Sequence, residues 1–259
     1  MKIAVCVKQV PEGTSLRLDP ASKRLDRSGE GALNHFDANA IEEGLRLRDA
    51  AGEGEVVLVS MGPAGAADAM RKGLAMGADR AVLVTDDSAA GSDLVATSRV
   101  LAAALEREQP DVVLFGQQSS DSDGAVLWAA VADRLRRPLV SQAAELTRTD
   151  NTLRVKRQTE FGYDVIEAPL PAVVAVSDAI NEPRYPSLKG IMGAKRKPQD
   201  TATLADLGVD AGAVGEAGSK TEVLALAEPP KRGESRTIDA SNGDAAGAIV
   251  EFLAEKRLV

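Results

Sequence analysis

Four short runs of β-branched and aliphatic residues recur along the first half of the chain, each followed by a stretch of helical periodicity. They are KIAVCVKQV at 2–10, EVVLVSMG at 55–62, RAVLVTDD at 80–87 and DVVLFGQQ at 111–118. Each is too short for a buried helix and too uniformly apolar for a strand with one wet face. Each therefore predicts a strand covered on both sides. Between the runs, Asp37 can cap a helix that aligns Ala38, Ile41 and Leu45, and Pro63 stands near a first helical turn. Ser92 can cap another helix, with Leu94, Val95, Leu101 and Leu105 as core candidates, and 125–137 form a further helix ended by Pro138. This alternation predicts an α/β fold, an open, mostly parallel sheet with flanking helices and right-handed crossovers.

The pattern changes further along. Residues 153–168 alternate in polarity around Phe161 and Gly162, which predicts an antiparallel hairpin with one solvated face, and 171–179 return to the buried-strand pattern. The stretch 181–198, NEPRYPSLKGIMGAKRKP, combines three prolines and two glycines with Arg184, Lys189, Lys195, Arg196 and Lys197. Proline removes backbone donors, so this segment is neither a long helix nor a central strand. Its Tyr185, Leu188, Ile191 and Met192 suit a surface that covers another, although a linker within one domain fits the composition equally. Residues 203–209 read as a short helix and 223–244 as extended or loop. Residues 245–259 read as an amphipathic helix with Ile249, Phe252 and Leu253 inward. The expected organisation is an α/β domain over 1–200 and an extended C-terminal arm over 201–259.

A net charge of −8 argues against general nucleic-acid or anionic-membrane binding, and no run is long and apolar enough to span a bilayer. The N-terminus enters a strand at once, so a cytoplasmic protein is expected. The single cysteine, Cys6, excludes an internal disulfide and a multi-cysteine metal site, and His35, the only histidine, has no partner for metal binding. No GxGxxG follows the first strand and no Walker motif occurs. No nucleophile, base and orienting acid stand out together, so the chain reads as a binding protein rather than an enzyme. Binding sites in open α/β sheets lie at the carboxyl ends of strands, here 8–11, 61–64, 85–87 and 116–124. The last, GQQSSDSDG, brings Ser119, Ser120, Ser122, Gln117, Gln118, Gly116 and Gly124 to a helix N-terminus suited to phosphate. Asp121 and Asp123 would repel a phosphate, so capping the helix or binding sugar hydroxyls suits them better. A plain Ser/Asp-rich turn is the competing reading.

The segment NEPRYPSLKGIMGAKRKP, with LAMGADRAVLV at 74–84, the initial VKQV, NHFDANAIEEGLRL and GQQSSD, resembles the β subunit of electron transfer flavoprotein over essentially the whole chain. The resemblance implies an adenine-nucleotide α-hydrolase-like fold in a heterodimer with an α subunit that holds most of a shared FAD. It also implies a catalytically silent β subunit that binds AMP. By position, the AMP site comprises Cys6, Val7, Lys8, Asn34, His35, Phe36, Asp37, Met61 and Gly116 to Val126, including Asp121, Asp123 and Ala125. In electron-bifurcating relatives a second FAD takes the AMP position. The resemblance also makes 181–198 a recognition loop for flavin dehydrogenases such as acyl-CoA dehydrogenases. Leu188 is its hydrophobic anchor, and Arg184, Lys189 and Lys195 are its steering charges. It places a contact with the mobile FAD domain at Gln158 or Glu160, lets the C-terminal arm wrap the α subunit, and names a quinone oxidoreductase or similar acceptor. Two features depart from the family pattern: His35 stands where many relatives carry proline, and the SDSDG loop differs in length and glycine content. A self-standing adenine-nucleotide binding or sensing protein of the same fold is the alternative reading.

Overall fold

The computed structural model describes residues 1–13, 17–227, 237–239, 241 and 243–259, arranged as two compact units, Met1–Val223 and Leu224–Val259. The N-terminal elements are β1 (Lys2–Cys6), β2 (Gln9–Pro11), β3 (Leu18–Asp19), β4 (Arg24–Leu25), β5 (Gly31–Leu33), α1 (His35–Ala51), β6 (Glu55–Met61), α2 (Ala67–Met76), β7 (Arg80–Val84), α3 (Leu94–Glu108) and β8 (Val112–Gly116). They continue as α4 (Leu127–Leu135), β9 (Leu139–Thr149), β10 (Thr152–Thr159), β11 (Gly162–Pro169), β12 (Ala172–Val176), α5 (Leu188–Ala194), β13 (Gln199–Ala202) and α6 (Gly215–Gly218). The second unit carries α7 (Ala245–Glu255).

The nine-stranded sheet runs β11-β10-β9-β12-β8-β1-β6-β7-β13. From β9 to β13 every neighbouring pair is parallel, whereas β9, β10 and β11 pair antiparallel. The four runs read as buried strands become β1, β6, β7 and β8, buried on both faces as their unbroken apolar character requires. Alternate residues feed two cores. Ile3, Val5, Leu58 and Leu114 pack with Ile41, Leu45, Met70 and Leu74 from α1 and α2. Ala4, Cys6, Val57, Val59 and Phe115 pack with Val100, Leu105 and Val131 from α3 and α4.

Several local expectations change. The N-cap of α1 is Asn34, and Asp37 lies inside the first turn with its side chain buried. Asp93, not Ser92, caps α3 by accepting from the Ala96 N–H at 2.9 Å. Leu101 and Leu105 are buried as expected, with Ala96, Val100 and Ala104, while Leu94 is half-buried and Val95 exposed. The expected hairpin is the outer part of a three-stranded meander. β9 pairs in parallel with β12 through Ala143 and antiparallel with β10 from Ala143 onward, with Gln142 at φ 58° where the two pairings meet. β13 completes the other edge beside β7. Residues 203–209 hold a single 3-10 turn, Ala205–Leu207. In α7, Ile249 is exposed and Phe252 and Leu253 are half-buried, so the inward face read from its periodicity is only partly covered. Of the stretch read as extended or loop, 228–236, 240 and 242 lie outside the described residues.

Candidate functional site

The chain leaves β1 on one side to form β6 and β7, and on the other side to form β8, so strand order reverses between β1 and β8. The crevice at the carboxyl ends of these strands is where an open α/β sheet binds ligands. Two side chains and a glycine tie it together. Asp37, from the first turn of α1, accepts the Lys8 N–H at 2.7 Å. A Cβ on Gly116 would stand 2.5 Å from the Asp37 carboxylate, so only glycine lets β8 end this close to α1. Asn34 donates to the Gln118 carbonyl at 2.8 Å and accepts the Ser120 N–H at 3.2 Å, which holds the loop after β8 against the start of α1. Burial pushes the Asp37 carboxyl up to about 7, against the opposing hydrogen bonds from Lys8, Asn34 and Gly116.

Beyond Asn34 the loop closes on itself. Lys8 Nζ donates to Asp121 at 2.7 Å and to the Ser119 and Ser122 hydroxyls at 3.2 Å each. Arg27 reaches the second Asp121 oxygen at 2.7 Å, and the Asp121 side chain is only 1% exposed. Burial would raise the Asp121 carboxyl, but the hydrogen bond and charge of Lys8, with Arg27 and Ser119, outweigh it and bring it down to about 2. Asp123 accepts instead from the Gln118 side chain. Neither acid caps α4, whose first turn follows Val126 without a side-chain cap. Asp123 and Ala125 take left-handed φ values of 46° and 43°, a conformation that costs a non-glycine residue about 1 kcal/mol. A Cβ on Gly124 would meet nothing within 4 Å, so the close-packing glycine of this loop is Gly116. Two cations on one anion, with the Ser119 hydroxyl beside them, are a donor set that fits a nucleotide phosphate.

The basic stretch 181–198 has a fixed base and a bare tip. Asn181 donates to Glu43 at 3.0 Å and exchanges bonds with Asn39. Arg184 donates to Glu42 at 2.6 Å and lies 3.5 Å from Asp49, so its guanidinium is committed to α1 rather than presented to a partner. Burial raises the Glu42 carboxyl, but Arg184 and Arg46 hold it below the usual range. Lys197 donates to the carbonyls of Leu74 and Ala78 at the end of α2. Between these anchors, Ser187 caps α5 through the Gly190 N–H, and Tyr185, Leu188, Ile191 and Met192 are exposed, Leu188 by 75%. Lys189 and Lys195 are exposed and make no ion pair among the described residues.

Residues 23–207 match the model of the electron transfer flavoprotein domain. The chain is 38% identical to the electron transfer flavoprotein subunit beta of Thermoanaerobacterium thermosaccharolyticum over the whole of both chains. The chain belongs to the electron transfer flavoprotein β-subunit family. It is also 36% identical to the subunit beta of Mycobacterium tuberculosis over 99% of each chain. It is 37% identical to the caffeyl-CoA reductase-Etf complex subunit CarD of Acetobacterium woodii over the full length of both. Electron transfer is therefore its business.

Within this family frame, the structure gathers Lys8, Asn34, Asp37 and 116–122 at one crevice. Cys6 points away from it, into the core beneath α3 and α4, where burial, with the nearby Asp37 carboxylate, pushes its thiol far up. It can contribute only backbone. Val7 packs its side chain into the opposite core, and Met61, at the end of β6, packs against the α3 side. His35 is exposed at the first position of α1, with its ring 4.0 Å from that of buried Phe36. No cluster able to hold a metal occurs among the described residues, and no helix there is long and apolar enough to cross a membrane. Gln158 and Glu160 are both exposed beside Phe161 at the end of the β10–β11 hairpin. Arg27, Asn39, Glu42 and Glu43 were not legible as site residues. Arg27 and Asp121 are 94 positions apart, and only the fold makes them neighbours.

Proposed function

We propose that this chain is the β subunit of a heterodimeric electron transfer flavoprotein. It pairs with an α subunit that holds most of one FAD. The complex carries electrons from flavin dehydrogenases, acyl-CoA dehydrogenases among them, to an acceptor such as a quinone oxidoreductase. When bound, FAD supplies the redox chemistry. This chain's residues do two other jobs. Lys8, Asn34, Asp37 and the 116–126 loop hold an adenine nucleotide, AMP, at the β1–β8 crevice. The C-terminal segment from 201 wraps the α subunit, and the 185–192 tip docks the dehydrogenase.

The observation that carries this reading is the contrast within 181–198. Its base is pinned to α1 and α2, while Leu188 and Met192 are 75% and 70% exposed at its tip. A leucine buried in a partner's apolar pocket is worth about 1.5–3 kcal/mol, which suits a fast, weak contact. Lys189 and Lys195 steer the encounter without adding much affinity. Coexpression with a flavin-binding α subunit is expected to give a yellow one-to-one complex, and a chain that stays monomeric beside every such subunit refutes the reading. Leu188→Ala is expected to slow reduction by the dehydrogenase while leaving flavin content intact.

The relative in a caffeyl-CoA reductase complex favours a second reading, in which another FAD takes the AMP position. The masses of ligands released from the purified complex separate the two. One FAD with AMP marks the simple carrier, and two FAD mark the bifurcating form.

A further inference from the structure

We propose that Asp121 is a built-in competitor for the phosphate of the nucleotide. In a closed state its carboxylate occupies Lys8, Arg27 and Ser119. In an open state a phosphate group takes those donors, and the carboxylate turns out to water. The inference rests on the nucleotide reading above and adds how that site is controlled. Asp121 is 1% exposed in its side chain although Ser120, Ser122, Asp123 and Gly124 around it are exposed. It is engulfed by donors, not by packing. One carboxylate between Lys8 and Arg27 leaves one positive charge uncompensated, and a phosphate monoester, which carries about two negative charges at pH 7, cancels both.

The loop is also built to let go. Asp123 and Ala125 hold left-handed backbone on either side of Gly124, which itself needs none, and nothing packs against the Gly124 position. The closed loop is thus strained and tied down chiefly by the Asp121 ion pairs and the two Asn34 bonds. Opening relieves that backbone and frees Lys8, Arg27 and Ser119 for the ligand. A ligand lacking phosphate has nothing to displace the carboxylate with.

Trp128, the only tryptophan, reports the loop because its indole N–H donates to the Gln117 carbonyl at 2.9 Å. In the full wild-type chain, freed of nucleotide, AMP is expected to shift Trp128 emission, and adenosine at matched occupancy is not. Equal responses to the two overturn the inference. Asp121→Asn is expected to tighten AMP binding at least tenfold by calorimetry. Asp123→Asn, which removes the same charge from the same loop, is expected to change it less than twofold. Equal tightening in both variants reduces the effect to general loop charge and overturns the inference. AMP binding by wild type with no tightening in Asp121→Asn overturns the inference alone. No AMP binding by either protein overturns the nucleotide reading as well.

Discussion

Single side chains in this protein are assigned to structure or to exposure by their partners rather than by their type. Asp37 is an acid in a helix first turn, where a cap was expected, yet it serves as the buried acceptor that sets the spacing of β1, β8 and α1. Its folded carboxyl is pushed up to about 7, above the ordinary unfolded value near 4, so the folded state holds its proton more tightly. The stability this contributes is complete below about pH 4 and is lost as pH rises towards 7. Thermal midpoints measured from pH 4 to 8 are expected to fall across that window, and Asp37→Asn is expected to flatten the slope. Arg184 shows the converse, a cation within a basic stretch whose charge is spent inside the molecule. Arg184→Ala leaves the Glu42 carboxylate, 5% exposed, with Arg46 as its remaining ion pair. Discounted for the partial exposure of Arg184, the loss is expected to be about 1–2 kcal/mol in a urea midpoint. Arg184→Lys is expected to restore little, because an ammonium cannot span Glu42 and Asp49 together.

Elements follow the same division. The parallel strands were legible because a strand covered on both faces must be apolar at every position, and such runs are short and local. In α3, Leu101 and Leu105 were legible as core, whereas Leu94 and Val95 of the first turn are not buried and Ala96 and Val100 take the inward face. β9 escaped notice for a different reason: it changes partners part-way, and only Val140, Ala143 and Leu146 along it are buried, so no unbroken apolar run marks it. α5 lies so close to α2 that a Cβ on Gly190 would overlap the Ala75 carbonyl oxygen. Gly190→Val is therefore expected to lift α5 off α2 and raise amide exchange across 188–194, with the remaining core unaffected. Leu188→Ala, on the exposed side of the same helix, is expected to change stability by less than about 0.5 kcal/mol, which separates docking from folding at this element.

At the scale of the whole molecule, the last buried apolar side chain among the described residues is Val214, and the second unit begins at Leu224. A chain ending at Val223 is therefore expected to unfold within a few degrees of the full-length protein, while losing one-to-one association with its flavin-binding partner on size exclusion. A chain that fails to fold without the residues from Leu224 on would assign that segment to the core instead. The amino-acid sequence by itself determined the α/β class, the strand ends where a ligand can sit, the family, and the character of the 181–198 stretch. Each of these is written in local periodicity or in a contiguous motif. Only the tertiary structure decided that Asp121 is held by Lys8 and Arg27, that Arg184 anchors while Leu188 is offered, and that Gly116 rather than Gly124 is the tight position. Those facts depend on residues far apart in the chain meeting in the fold, and no local pattern records which distant charge a side chain will find.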